Sequence, residues 1–261
     1  MGDKTKIDWC DASWNPVTGC YHGCEYCYAR GMATRFGLSY APKLGDPGME
    51  GAKKYDSDEG MDTMLELEKP YEKEGRIQPY PMGFNPTFHR YRLDIPERWT
   101  RPRTIFVCSM ADLFGEWVPD EWITAVFDAC LAAPQHRYLF LTKNPERYRQ
   151  LSRAGLLPKT IECWWGASTP HKADKYNIGE HTFVSIEPIL EDFTMATQLH
   201  ARWVIIGAET GNRRGKVVPN RDWIMPFVEM CDQQGTPVFM KESLREIVGE
   251  TDFRQEFPWG V

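Results

Sequence analysis

The chain from residue 103 onward alternates between two kinds of segment. Six runs are apolar and rich in β-branched or aromatic residues: TIFVCSM (104–110), YLFLTK (138–143), CWWGAST (163–169), TFVSIEP (182–188), WVIIGAE (203–209) and PVFMKES (237–243). They are continuous rather than alternating in polarity, which is the pattern of strands buried on both faces. Between several of them apolar positions recur at helical spacing. PDEWITAVFDACLAA sets Trp122, Ile123, Val126, Phe127, Cys130 and Leu131 on one face, entered through Pro119 and closed by Pro134. PERYRQLSRAG predicts a helix ending at Gly155. RDWIMPFVEMCDQQG predicts one that starts at Asp222, carries Pro226 near its first turn and ends at Gly235.

Strand and helix in alternation predict an α/β fold with parallel strands and outer helices. A further strand near residues 13–18 brings the count to about seven. That number in a chain of 261 residues suits a single domain built as a partial or complete (β/α) barrel. One link is short: PHKADKYNIGEH (170–181) is barely long enough for a crossover helix, so a poor helix is expected there. Residues 40–80 break the rhythm. APKLGDPGMEGAKKYDSDEG crowds Pro, Gly and charged residues together, and MDTMLELEKPYEKEG behind it reads as helical. An inserted acidic loop and helix are therefore expected, in the role of a lid over a site.

Composition narrows the setting. Apolar residues make up 42% and charged residues 26%, and no stretch approaches the roughly 20 consecutive apolar residues of a membrane span. The N-terminal residues carry no charged leader followed by an apolar run. A soluble, cytoplasmic protein with no membrane partner is expected, and there clustered cysteines serve metals or catalysis rather than disulfides. The net charge of −6 gives no bulk attraction to nucleic acid. Local attraction has two candidate patches. FHRYRLDIPERWTRPR (88–103) mixes five arginines with Phe88, Tyr91 and Trp99, a composition that can hold phosphates and stack bases, and GNRRGKVVPNR (211–221) is a second basic stretch.

Three of the eight cysteines, Cys20, Cys24 and Cys27, crowd into GCYHGCEYCYAR (19–30). Gly19 and Gly23 make this a loop, and YARGMATRFG continues it as a short helix stopping at Gly37. A 4Fe-4S cluster needs a ligand on each iron, so three thiolates leave one iron open to a cofactor or substrate. Structural zinc wants four closed ligands, with His22 available as the fourth. Cys10 is another candidate fourth ligand. Cys108, Cys130, Cys163 and Cys231 fall in apolar segments, where core packing is expected.

Sites on parallel α/β sheets lie beyond the carboxyl ends of the strands. There the sequence sets Cys20, then Ser109 and Asp112, Lys143 and Asn144, Ser168 and Thr169, Glu187, Glu209, and Lys241 with Glu242. Lys143 and Lys241 either cap the rim in solvent or, turned inward, hold a carboxylate or phosphate or donate a proton. Asn15, before Pro16, reads as a turn residue.

The spacing CxxxCxxC, with Tyr26 before the last cysteine, between a first strand and a helix, resembles the cluster motif of the radical S-adenosylmethionine (SAM) superfamily. More narrowly, WNPVTGC (14–20), residues 84–119, FLTKNPER (140–147), SIEPIL (185–190), IIGAETG (205–211) and PVFMKES resemble a family of radical-SAM-like proteins of phages and bacterial genomes. The chain departs from that family in the short segment before TFVSIEP and in the acidic insertion near residue 55.

The resemblance implies a 4Fe-4S cluster on Cys20, Cys24 and Cys27, SAM on the open iron, and a low-potential electron donor as partner. It implies reductive cleavage of SAM to a 5′-deoxyadenosyl radical that abstracts hydrogen from a substrate. By its pattern Ser109 and Asp112 meet the SAM amino group, while Ser168, Ser185 and Glu187 are candidates for the ribose. Gly207 and Glu209 belong to the strand along the adenine, and Tyr26 lies at the adenine edge. Glu187, Lys143 and Lys241 are the candidate catalytic groups. The expected substrate is a nucleotide or a nucleobase in DNA. Two alternatives differ in class: a non-catalytic iron-sulfur electron-transfer or regulatory protein, and a zinc-stapled nucleic-acid-binding protein.

Overall fold

The computed structural model describes residues 5–38, 42–43, 45–55, 63–169, 179–193 and 200–260. In chain order the elements are β1 (Ala12–Trp14), β2 (Val17–Thr18), α1 (Tyr28–Phe36), β3 (Lys53–Tyr55), β4 (Met64–Leu67), β5 (Glu72–Lys73), β6 (Arg76–Ile77) and β7 (Thr87–His89). Then follow β8 (Thr104–Val107), α2 (Asp120–Ala132), β9 (Arg137–Thr142), α3 (Pro145–Arg153), β10 (Cys163–Ser168) and β11 (Thr182–Ile186). Last come β12 (Trp203–Ile206), α4 (Arg221–Gln233), β13 (Val238–Met240) and α5 (Arg245–Val248).

Seven strands form one parallel sheet in the order β1-β8-β9-β10-β11-β12-β13. The order never reverses, so the sheet curls in one direction as a partial barrel and has no switch point of the doubly wound kind. β1 and β13 are its two edges, so the barrel is open rather than complete. The free side of β13 is covered in part by the C-terminal segment, through an antiparallel bridge from Phe239 to Gln255.

Side-chain alternation sorts the sheet into two faces. Ile105, Val107, Tyr138, Phe140, Trp165, Val184, Val204, Val238 and Met240 pack with the apolar faces of α2, α3 and α4. The intervening residues Phe106, Leu139, Trp164, Phe183, Trp203, Ile205 and Phe239 join Trp9 in a separate cluster on the inner face. Phe257 and Trp259 pack against that cluster from the C-terminal segment, with ring centroids 5.9 and 5.2 Å from Trp203. The inner face thus has an aromatic floor. Gly166 is shaped to it, because a Cβ there would stand 2.3 Å from the Phe183 ring.

Two sequence expectations are corrected. The expected strand at residues 13–18 is split at Asn15-Pro16, and β2 joins a different sheet, of order β2-β7-β4-β3. The helix expected in MDTMLELEKPYEKEG is instead β4 followed by the β5–β6 hairpin. Within β4 Glu66 is fully buried. The reason is a set of donors from other elements: Tyr55 Oη and Lys53 Nζ on β3 at 2.9 and 3.1 Å, Trp122 Nε1 on α2 at 3.2 Å, and the Arg90 guanidinium. The most acidic part of the insertion, residues 56–62, and the short crossover at 170–178 lie outside the described residues.

Burial pushes the Glu66 carboxyl up, but the bonds from Arg90, Tyr55 and Lys53 outweigh it and hold the group below the ordinary 4.5. Its stabilising contribution is then present above that value and is lost as pH falls through the lower folded pKa. Glu66→Gln is expected to cost about 2 kcal/mol at neutral pH. In urea unfolding the gap to the unsubstituted protein should narrow below pH 4.5; a gap independent of pH would contradict an ionised Glu66.

Candidate functional site at the strand ends

The cysteine loop starts where β2 runs out. Gly19 bridges to Ala111 and has φ +90°, and a Cβ there would meet the Asn85 carbonyl oxygen at 2.3 Å. Only glycine fits this conformation at so close an approach. The Cys20 N–H donates to the Phe84 carbonyl at 3.0 Å, Gly23 makes a second left-handed turn, and the Cys27 N–H returns to the Cys24 carbonyl at 3.2 Å. Cys27 is the N-cap of α1, its Sγ accepting the Arg30 N–H at 3.4 Å. The three thiols share one neighbourhood. Burial, with the nearby Asp112, Cys27 and Cys24 adding to it, pushes the Cys20 thiol up to about 12.

Side chains of the loop and of the first turn of α1 tie it to successive strand ends. His22 Nε2 donates to Asp112 Oδ2 beyond β8 at 2.7 Å. Tyr26 Oη accepts from Lys143 Nζ beyond β9 at 3.1 Å. Glu25 pairs at 3.5 Å with Arg213 beyond β12, and Tyr28 Oη donates to the Ser109 carbonyl at 2.6 Å. Asp112 is the most heavily used of these anchors. Its Oδ1 also accepts from Thr142 Oγ1 at 2.7 Å and the Phe114 N–H at 3.0 Å, and its Oδ2 from the Lys143 N–H at 2.9 Å.

Above the aromatic floor the inner face turns polar. Ser168 and Ser185 share the inner parity and stand side by side in the β10–β11 register. The same pleat, carried one residue past each strand, reaches Lys143, Glu187, Gly207 and Lys241. Their contacts agree with a shared face. Lys143 Nζ donates to Ser168 Oγ at 3.2 Å, and Lys241 Nζ to Glu187 Oε2 at 3.0 Å. A Cβ on Gly207 would stand 2.9 Å from Lys241 Cδ, so the missing side chain leaves room for the lysine stem. Both lysines therefore face inward and neither is a solvated cap.

Glu187 Oε1 is buried with no partner among the described residues. Burial pushes the Glu187 carboxyl up, against the pull of Lys241. Lys241 responds the opposite way: burial would lower it, and Glu187 outweighs burial and raises it.

Two expected ligand contacts are committed elsewhere. Glu209 is buried and accepts both Nε and Nη2 of Arg213, at 2.6 and 2.8 Å, and that bond holds its carboxyl below the ordinary range. Asp112 has four protein donors. Both carboxylates position loops. Ser109 Oγ donates to Asn15 Oδ1 at 3.2 Å, leaving its hydroxyl oxygen for a further donor.

Asn15 is more than a turn residue. Buried beyond β1, it also accepts the Met110 N–H at 2.9 Å, and its carbonyl accepts from Arg92 at 2.9 Å. Thr142 was not singled out in the sequence, Arg213 stood there only within a basic stretch, and His22 only as a fourth ligand for zinc. The arginine-rich stretch 88–103 is partly committed within the fold. Phe88 and Arg92 are buried and Arg90 holds Glu66, while Arg98, paired with Asp94, and Arg101 are exposed.

Three thiols on one loop are a donor set that fits a cluster with three protein ligands. Among the described residues, no three His, Cys, Asp or Glu side chains are drawn together closely enough to hold an ion. Cys108, Cys130, Cys163 and Cys231 are buried, in keeping with packing roles. No helix among the described residues is long and apolar enough to cross a membrane.

Asp112→Ala is expected to lower stability by about 3 kcal/mol, since it strands several buried donors at once. Amide hydrogen exchange in residues 19–27 should accelerate at the same time. Unchanged exchange in that loop would mean that His22 and Asp112 do not hold it down.

No curated protein and no solved structure matches the chain. A family model does match, over residues 4–245, which takes in all three sheets, the cysteine loop and every strand end described above. On that match the chain belongs to the family described as protein of unknown function (DUF5131).

Proposed function

We propose that this protein is a radical SAM enzyme. The observation that carries the reading is a loop with three thiols tied across the carboxyl ends of a curled parallel sheet, facing a polar inner rim over a closed aromatic floor. Cys20, Cys24 and Cys27 would hold a 4Fe-4S cluster and leave one iron for the amino and carboxylate groups of SAM. The chemistry supplied when both are bound is one-electron cleavage of the sulfonium to methionine and a 5′-deoxyadenosyl radical, which abstracts hydrogen from the substrate.

The chain's own residues bind, orient and exclude water. Lys143, held between Tyr26 and Ser168, sets a positive charge beside the thiol loop. Glu187 has one oxygen on Lys241 and one unpartnered, so it accepts a donor from a bound ligand or holds a proton for it. Gly207 keeps the Lys241 stem in place, while Asp112 and Glu209 act as positioning residues through His22 and Arg213. The substrate class is a nucleotide or a nucleobase in DNA, supported by the basic loop at residues 211–216, directly beyond Glu209, where Arg214 is exposed. A second reading, zinc closed by His22, draws on the His22–Asp112 bond, because metal-bound imidazoles commonly donate their other nitrogen to a carboxylate.

The test is anaerobic reconstitution with iron and sulfide, followed by SAM and dithionite. About four irons per chain and 5′-deoxyadenosine are expected. Cys24→Ala should abolish cleavage while leaving the far-UV circular dichroism unchanged. Retained turnover in Cys24→Ala, or a loaded cluster that yields no 5′-deoxyadenosine, overturns the reading. Stoichiometric zinc without iron transfers the assignment to the second reading.

A further inference from the structure

Two ammonium groups face the interior, and their partners differ in kind. Lys143 Nζ, beyond β9, donates to Tyr26 Oη and Ser168 Oγ, both neutral, and among the described residues no carboxylate pairs with it. Lys241 Nζ, beyond β13, donates to Glu187 Oε2 at 3.0 Å and so has its counter-charge beside it. The first is a lone positive charge, suited to an anion. The second belongs to a pair with no net charge.

That pair is incomplete in its hydrogen bonds. An ammonium has three N–H donors, and both oxygens of an ionised carboxylate accept. Among the described residues Lys241 Nζ has a single acceptor, and Glu187 Oε1 is buried without a donor. A carboxylate oxygen closed off from water and left unanswered costs free energy that a bound donor recovers. Unused donors on the lysine and an unused acceptor on the glutamate therefore stand next to each other. Their setting is fixed by the fold, since Gly207 leaves room for the lysine stem and the Lys241 N–H is tied to the Ile206 carbonyl at 2.9 Å.

Charge decides what completes the pair. An anion is opposed by Glu187 and a cation by Lys241, so neither gains from one member without losing to the other. Asp8 acts on both groups and adds to the opposition to an anion. It is exposed and so screened by water, and its Oδ2 accepts the Glu242 N–H at 3.3 Å. Cys10 also lies near Lys241 but adds no charge, because burial pushes its thiol up to about 12. A neutral group escapes both penalties, provided that it offers a donor and an acceptor from neighbouring atoms. The edge of an amide does so, with its N–H for Glu187 Oε1 and its C=O for Lys241 Nζ.

We propose that Glu187 and Lys241 form a recognition site for a neutral amide-type edge, a carboxamide or a ring lactam, on the molecule that enters the interior. Its purpose, selection of the substrate, rests on the radical SAM reading; its geometry does not.

The probes are four molecules of nearly one shape: benzamide, N,N-dimethylbenzamide, which has no N–H, benzoate and benzamidinium. Each is titrated at about pH 7 into the full chain, before and after reconstitution with iron and sulfide, while the backbone amide resonances of Gly207 and Lys241 are followed. Benzamide should shift both resonances saturably, and the other three should bind at least about tenfold more weakly. Glu187→Gln keeps the shape and leaves Lys241 without its counter-charge, so benzoate should then bind more tightly than benzamide. Equal binding of the four probes, or tightest binding of benzoate or benzamidinium, overturns the proposal on the unsubstituted protein alone. So does the absence of any shift with benzamide, which would mean that water alone answers the pair, and so does an unchanged order of binding in folded Glu187→Gln.

The expected order of binding in a chain that loads no cluster, or that yields no 5′-deoxyadenosine, defeats the enzyme reading and leaves the amide site standing. Formation of 5′-deoxyadenosine without that order defeats the amide site alone.

Discussion

The carboxylate of Asp112 is the fixed point of this architecture. A carboxylate removed from water must have its lone pairs answered, and here four donors do so from three segments: the turn after β8, the end of β9 and the cysteine loop. The loop itself has two left-handed glycines and few internal hydrogen bonds, so its place over the sheet is set by such attachments. Asn15 does the same service one strand earlier, binding the backbone of the turn that carries Ser109 and Met110. The candidate site is thus an arrangement of loops held by buried polar groups, standing on a sheet held by apolar ones.

Much of the sheet was legible because its code is redundant. Most strands of the barrel are short apolar runs, and each of α2, α3 and α4 has both a period and a terminator, so about seven strands and the helices between several of them follow from hydrophobicity and Pro or Gly punctuation. The small sheet was not legible. β4 holds a buried glutamate whose partners come from residues 53, 55, 90 and 122, and no local window contains that information. The same ambiguity runs through residues 88–103, where Arg92 and His89 are interior groups bonded to backbone and hydroxyls while Arg98 and Arg101 are exposed. A buried arginine and a solvated one are the same letter.

At the site the split is similar. Position at a strand end drew attention to Lys143, Ser168, Glu187 and Lys241, which the fold brings to one face in two bonded pairs. It could not separate residues that face a ligand from those that serve the scaffold. Glu209 and Asp112 stand at the expected places, but their partners, Arg213 and His22, decide their roles, and those pairings follow from tertiary geometry.

The aromatic floor has a consequence for the direction of approach. With Trp9, Trp203, Phe257 and Trp259 stoppering the amino-terminal end, a guest on the inner face has to approach from the carboxyl ends of the strands or from the open side between the edges β1 and β13. Whatever rests on those packed rings has no exit beneath it.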